Sequence, residues 1–264
     1  AGPMKTDKIP VADYKLAMKD PSVYSFCMCP GGQIVPTSIT ADELCINGMS
    51  FSRRQSKFAN AALVTTIEPE EFNQDDGKIS STRNNETHKE DGHHGDGHYD
   101  NDDHHGDSIV GALDGLEWQR RVERKAAVAG GGSLRCPAQR LTDFLEDRFN
   151  PEDVLPPSSY RMGTTNYPVK NLYPPAVIDR IRESLETFEK KLPGFLSEHA
   201  VLHGVETRTS ASVRINRHPI HCSVMPFNDT LYAAGEGAGY AGGIVSAAVD
   251  GIRVAEAILN RVLE

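Results

Sequence analysis

The sequence predicts a mixed α+β chain that ends in a short α/β element, and three observations lead there. Residues 22–67 hold short β-favouring runs punctuated by Pro30-Gly31-Gly32 and Gly48. Residues 109–192 carry apolar side chains at helical spacing. Residues 229–264 run from an apolar strand-like segment through a glycine-dense turn into a long amphipathic stretch. That order suits a β-rich, barrel-like domain interrupted by a helical segment, closing back into a Rossmann-like strand–turn–helix.

Each segment has its own reason. Residues 1–21 read as an N-terminal join or scar, because they hold no apolar strand and only one glycine. Within 22–67 the runs 23–29, 33–37, 44–49 and 61–67 are the expected strands. Residues 68–108 carry thirteen Asp or Glu against three Lys or Arg, and six of the ten histidines. Almost nothing apolar interrupts them, so burial cannot offset chain entropy and the stretch is expected to be disordered. Of the net charge of −9, this stretch holds −10, so the rest is close to neutral. No basic stripe of the kind that binds nucleic acid is present.

In 109–192, helix is expected over 109–129 (Val110, Leu113, Leu116 and Val122 on one face), ended by the glycines at 130–132. Pro137 suits the first turn of a second helix over 138–145. Residues 151–175 are proline-rich and irregular, and 176–192 form a clear amphipathic helix with Val177, Ile181, Leu185 and Phe188 on one face. In 193–228 the strands 200–207, 212–216 and 222–225 return to the barrel. In 229–264 the strand 231–234 leads to a helix beginning near Gly242. No run approaches the roughly eighteen apolar residues of a membrane span. Five cysteines without zinc-like spacing point to a reduced, intracellular setting.

The glycine turn carries the chemistry. A strand, a glycine turn and a helix N-terminus converge backbone N–H groups on an anion. Gly237, Gly239 and Gly242 match G-x-G-x-x-G in form. A self-contained NAD site also needs a second strand with an acid after the helix, and here the helix runs to the last residue. Gly235-Glu236 instead matches the C-terminal corner of flavoproteins, where an acid and a helix N-terminus complete a cofactor site begun elsewhere. The cofactor-binding candidates are Gly235, Glu236, Gly237, Gly239, Ala241, Gly242, Gly243 and Ile244. The alternative for Glu236 is a plain helix cap.

Several segments carry a resemblance: YSFCMCPGGQIVPTS (24–38), INGMSFSRRQSKFANAALVTTI (46–67), CPAQRLTDFL (136–145), PGFLSEHAVLHGVETRTSASVRI (193–215) and LYAAGEGAGYAGGIVSAAVDGIRVAEAI (231–258). With these the chain resembles the FAD-dependent oxidoreductases of bacteria and plastid-bearing eukaryotes. The resemblance implies the C-terminal portion of such a protein, with FAD as cofactor, NAD(P)H as candidate electron donor and a small-molecule substrate. It also implies a partner, the N-terminal ADP-binding βαβ segment, which nothing before Tyr24 resembles. The compartment it implies is cytoplasm or plastid.

Other candidates are weaker. Arg214 suits a flavin or a substrate carboxylate, or else a surface pair, and Arg208 reads as a paired arginine. Cys27 and Cys29 would share a face of a strand, as a redox pair or as two small packed side chains. Asn47, Ser50, Arg53 and Arg54 fall in a matching segment without an assigned role. The histidine-rich stretch has no helical i, i+4 pair and reads as a solvated spacer, so no metal site is assigned. The alternative to an enzyme is a non-catalytic interaction protein that keeps the flavoprotein fold and uses its acidic tail for binding.

Overall fold

The computed structural model describes residues 16–38, 40–72, 111–225 and 230–263, apart from the side chains of Phe26 and Cys27. Most of the N-terminal join and of the acidic spacer therefore lies outside the described residues.

Strands β1 (Ala17–Met18) and β2 (Val23–Pro30) begin an antiparallel sheet completed by a later strand, Ala59–Thr65. Between them β3 (Gln33–Pro36) and β4 (Ile46–Met49) pair with each other, Gln33 opposite Met49 and Pro36 opposite Ile46. The Ala59–Thr65 strand is β5. Val23 faces Thr65 and Pro30 faces Ala59, but the register slips between Phe26 and Cys29. Such an irregularity bends the strand and re-aims its side chains. The Cys27-Met28-Cys29 run sits on this slip, and the shared-face expectation for its two thiols falls on the Cys27 side chain, which lies outside the described residues.

Helix α1 (Asp114–Gly130) buries Trp118, Val122, Ala126 and Ala127. It ends at Gly131 in the left-handed region (φ 86°), whose N–H caps the carbonyls of Ala127 and Val128. Gly130 is held to glycine by close approach: a Cβ there would lie 1.9 Å from the Arg135 carbonyl oxygen. The chain then enters strand β6 (Cys136–Arg140), a short helix α2 (Leu141–Leu145), strand β7 (Thr164–Asn166), helix α3 (Pro175–Lys191) and strand β8 (Val201–His203). β6 is the middle strand, parallel to β7 and antiparallel to β8.

The expected helix over 138–145 is therefore corrected: its first half is strand. Residues 136–139 are buried between two neighbours, and their backbone groups find partners in β7 and β8. Both partners are remote in sequence, which local spacing around Pro137 cannot register. Pro137, lacking an N–H, serves through its carbonyl, which accepts from Gly204 at 3.0 Å.

α3 keeps its expected face. Val177, Leu185 and Phe188 are buried together with Ile178, and the helix lies across β1, β2 and β5. Each fully buried side chain of this kind contributes roughly 1.5–3 kcal/mol. The main core gathers Leu44, Ile46, Trp118, Phe144, Leu172 and Val205, tying the three sheets and α1 together.

The barrel-like expectation is also corrected. Among the described residues the strands form three small sheets of two or three strands, and none closes. The expected strands at 212–216, 222–225 and 231–234 reduce to two isolated bridges, Arg217 with Val224 and Ser223 with Tyr232. A strand needs a neighbour along its whole length, and these runs meet one only at single points.

The spacer expected over 68–108 is corrected at its start, where Pro69–Glu71 form a 3-10 turn; Phe72 and Gly111 are the described residues on either side of the rest. The Phe72 ring packs on Trp118 (centroids 6.3 Å apart), and Arg121 donates to the Phe72 carbonyl. Glu71 pairs with Arg180 on α3 at 2.8 Å. A Cβ on Gly115 would lie 3.1 Å from the Phe72 ring. Among the described residues no helix is long and apolar enough to cross a membrane.

Candidate functional site

The glycine corner is built by helix α4 (Ile244–Leu263) and the turn before it. The turn is closed by backbone bonds from Gly239 N–H to the Glu236 carbonyl (2.9 Å) and from Tyr240 N–H to the Gly235 carbonyl (3.1 Å). Gly239 has φ 79°, and a Cβ there would lie 2.7 Å from the Val213 carbonyl oxygen. Only glycine lets the 213–214 backbone press so closely on the turn.

One ion pair fastens the corner to α4. The Asp250 carboxylate accepts from Arg217 Nη1 at 3.0 Å and from the Gly235 N–H at 2.8 Å. Arg217 also donates to the Ala233 carbonyl at 2.9 Å, and its guanidinium lies 3.5 Å from the Tyr240 ring centroid. The Arg217 guanidinium holds the Asp250 carboxyl below the usual carboxylate range. Sequence reading missed this pair. Its signal was an aspartate in the middle of an apolar helix, AAVDGIRVA, where an acid needs a partner.

The predicted cofactor residues divide by where they point. Gly235 is buried and its N–H is taken by Asp250. Glu236 and Gly237 are exposed at the tip, and Gly239 and Ala241 are half-buried behind them. Gly242 packs on Thr209 and Ser210, a Cβ there lying 3.5 Å from the Thr209 carbonyl oxygen. Gly243 and Ile244 open onto a groove of about 780 Å³ that also touches Tyr240, Ser246, Val249 and Arg253. The first N–H groups of a helix have no partner within it, and α4 directs them to this end.

Arg214 joins the corner. Its Nε donates to the Gly239 carbonyl at 3.0 Å, and its guanidinium lies 4.9 Å from the Tyr240 ring centroid. Arg208 goes elsewhere: it pairs with Glu123, buried on α1, with Nε–Oε1 at 2.9 Å, and Thr207 donates to the same carboxylate. Cys29 is buried in β2 opposite Asn60 on β5, on a different sheet from β6 and β8. The Cys27 side chain lies outside the described residues. Arg53 is exposed, whereas the Arg54 backbone packs on Gly31. Asn47 sits in β4 with its Oδ1 buried and without a hydrogen-bond partner. Among the described residues no cluster of three or more His, Cys, Asp or Glu is arranged to hold a metal ion.

A family model described as FAD-dependent protein, C-terminal domain-like, matches residues 2–209. The chain belongs to this family. It is also 38% identical over 260 residues to an uncharacterized protein of Clostridium beijerinckii. That alignment covers 96% of this chain and 42% of the relative, so the chain spans well under half of the longer protein's length. The family match ends at Thr209, the residue that packs on Gly242, and the glycine corner follows it.

Proposed function

We propose that this chain is the C-terminal portion of an FAD-dependent oxidoreductase and forms one side of its cofactor site. The observation that carries this reading is the outward face of α4. Ile244, Val245, Val249, Ile252, Leu259 and Val262 are all exposed, Ile244 at 91%, while Asp250 and Val254 are the buried residues of the helix. A helix apolar on nearly every side expects cover. The occupant we infer is an N-terminal FAD-binding segment, for which the unmatched length of the longer relative leaves room.

The residues present suit FAD as half a clamp. The N–H groups of Gly242, Gly243 and Ile244 and the Arg214 guanidinium favour a diphosphate, and Glu236 is free to accept from a sugar or ribityl hydroxyl. Val245 and Val249 exclude water once the opposite side is docked. Flavin, when bound, supplies two-electron hydride chemistry; NAD(P)H is the proposed electron donor and a small organic molecule the proposed substrate.

The test joins this chain to the portion of the Clostridium beijerinckii relative that the alignment leaves uncovered. Flavin absorbance is expected from the joined protein and little from the chain alone. Glu236→Ala in the joined protein is expected to weaken FAD about tenfold, the loss of one charge-assisted hydrogen bond. Tight FAD binding by the chain alone overturns the half-site. A well-folded joined protein without flavin overturns the cofactor and leaves a non-catalytic interaction protein as the reading.

A further inference from the structure

Beside the glycine corner, the turn at 218–225 offers apolar surface that the corner itself does not use. The turn is held by its own hydrogen bonds. The His218 N–H donates to the Ser223 carbonyl at 2.8 Å, and the Cys222 N–H returns to the His218 carbonyl at 3.0 Å. The Ile220 N–H donates to His218 Nδ1 at 3.2 Å. Cys222 is buried beneath, whereas Ile220 stands 74% exposed. Met225 and Leu231 are exposed as well, and their runs meet where the Val224 N–H donates to the Leu231 carbonyl at 2.8 Å. A backbone fixed in this way has little ordering left to do when a partner covers its side chains.

One cation ties this turn to the apolar face of α4. Arg253 Nη2 donates to the carbonyl of Pro219, the neighbour of Ile220, at 3.2 Å. Arg253 also borders the groove that holds Tyr240, Val245 and Val249. The exposed surface therefore runs without a break from α4 over Arg253 to Ile220. Among the described residues Arg253 forms no ion pair. Asp250 feels its charge but is held by Arg217 and by the Gly235 N–H. Arg253 lies roughly 13 Å along the helix axis from Ile244, well away from the helix start where a diphosphate would sit.

We propose that this surface, made of Ile220, Met225, Leu231 and the exposed face of α4, docks the N-terminal segment inferred above, and that Arg253 pairs there with a carboxylate of that segment. This rests on the reading of the chain as the C-terminal portion of a longer protein, and it names how the two portions recognise each other. The unmatched length of the relative leaves room for such a partner. The apolar side chains exclude water from the contact. A cation set among them gains strength once water is gone and fixes the register of docking. Docking of this kind needs no cofactor, so the two portions meet with or without FAD.

Carbene footprinting, read by peptide mass spectrometry, tests this on the chain and on the joined protein, each stripped of flavin. In the joined protein, labelling at Ile220, Met225 and Leu231 is expected to fall at least about fivefold, as befits a water-excluded interface. Val128 and Val154, exposed elsewhere on the body, are expected to label alike in both proteins. Arg253→Glu sets one carboxylate against another and is expected to raise labelling of the patch at least about threefold in the joined protein, with Arg253→Gln between it and the parent. An unprotected patch in a folded joined protein overturns the docking surface, whether or not that protein binds flavin. Protection that Arg253→Glu leaves untouched overturns the ion pair. Protection that appears in the chain alone and rises with its concentration gives the face to a second copy and overturns the occupant. A joined protein whose patch is protected but which never binds flavin supports this docking and sinks the cofactor reading alone.

Discussion

Asp250→Asn destabilises the glycine corner by about 3–5 kcal/mol, the usual result of leaving a buried charge without its partner. Arg217 and Asp250 have side chains only 3% and 9% exposed, so water cannot replace the lost carboxylate. Asparagine still offers an oxygen to the Gly235 N–H, but it leaves the guanidinium uncompensated. Urea unfolding near neutral pH measures the effect, and a loss below about 1 kcal/mol would contradict it. Replacing both partners with apolar residues of similar volume should recover much of the loss. The ordinary sign of a depressed carboxyl applies: the pair stabilises above the unfolded value and is lost as pH falls through the folded one.

The second large effect is a pH dependence hidden by two opposed groups. Glu206 rises from 4.5 to about 7 on folding, so the folded chain holds a proton that the unfolded chain releases across that window. Stability from this group therefore falls as pH rises through the window, by up to about 3 kcal/mol before its partial exposure is discounted. His203 falls from 6.5 to about 4, because burial disfavours its cation. It stays neutral, accepting from Ser158 Oγ at 2.6 Å through Nε2 and donating from Nδ1 to the Val201 carbonyl at 3.1 Å. For a depressed histidine the unfolded state takes up the proton first, so stability falls as pH drops from 6.5 to about 4. Between 4.5 and 6.5 the two slopes cancel. Glu206→Gln removes one of them. The variant is expected to show stability rising with pH across that interval by about 1.4 kcal/mol per pH unit, and to exceed the parent at pH 8. Denaturant midpoints at a series of pH values check this, and parallel curves for the two proteins would refute it.

Much of the first sheet was legible because its signals are local. The run around Val23 there, those around Gln33 and Ile46 in the β3–β4 pair, and the apolar stripe of α3 repeat at the period of their own element. β6 was not legible, since a strand beginning Cys136-Pro137 is made by neighbours 28 and 65 residues away, Thr164 opposite Cys136 and His203 opposite Ala138. The corner was legible in its glycines, and Arg214 does reach it. Its lock was not, because nothing in the spacing of Arg217 and Asp250 announces a pair formed across a turn. Asn47 and Glu206 fall in segments that carry the family resemblance, but the sequence gives neither a role; the raised Glu206 carboxyl follows from burial that only the fold shows.

Phe72 and Gly115 have one more consequence. With the aromatic ring seated on the first turn of α1, the acidic spacer leaves and rejoins the body close to a single point, like a handle on a cup. Growth or shrinkage of such a handle changes closure entropy only with the logarithm of its length. A reporter spliced into that stretch is thus expected to leave the hydrophobic interior untouched.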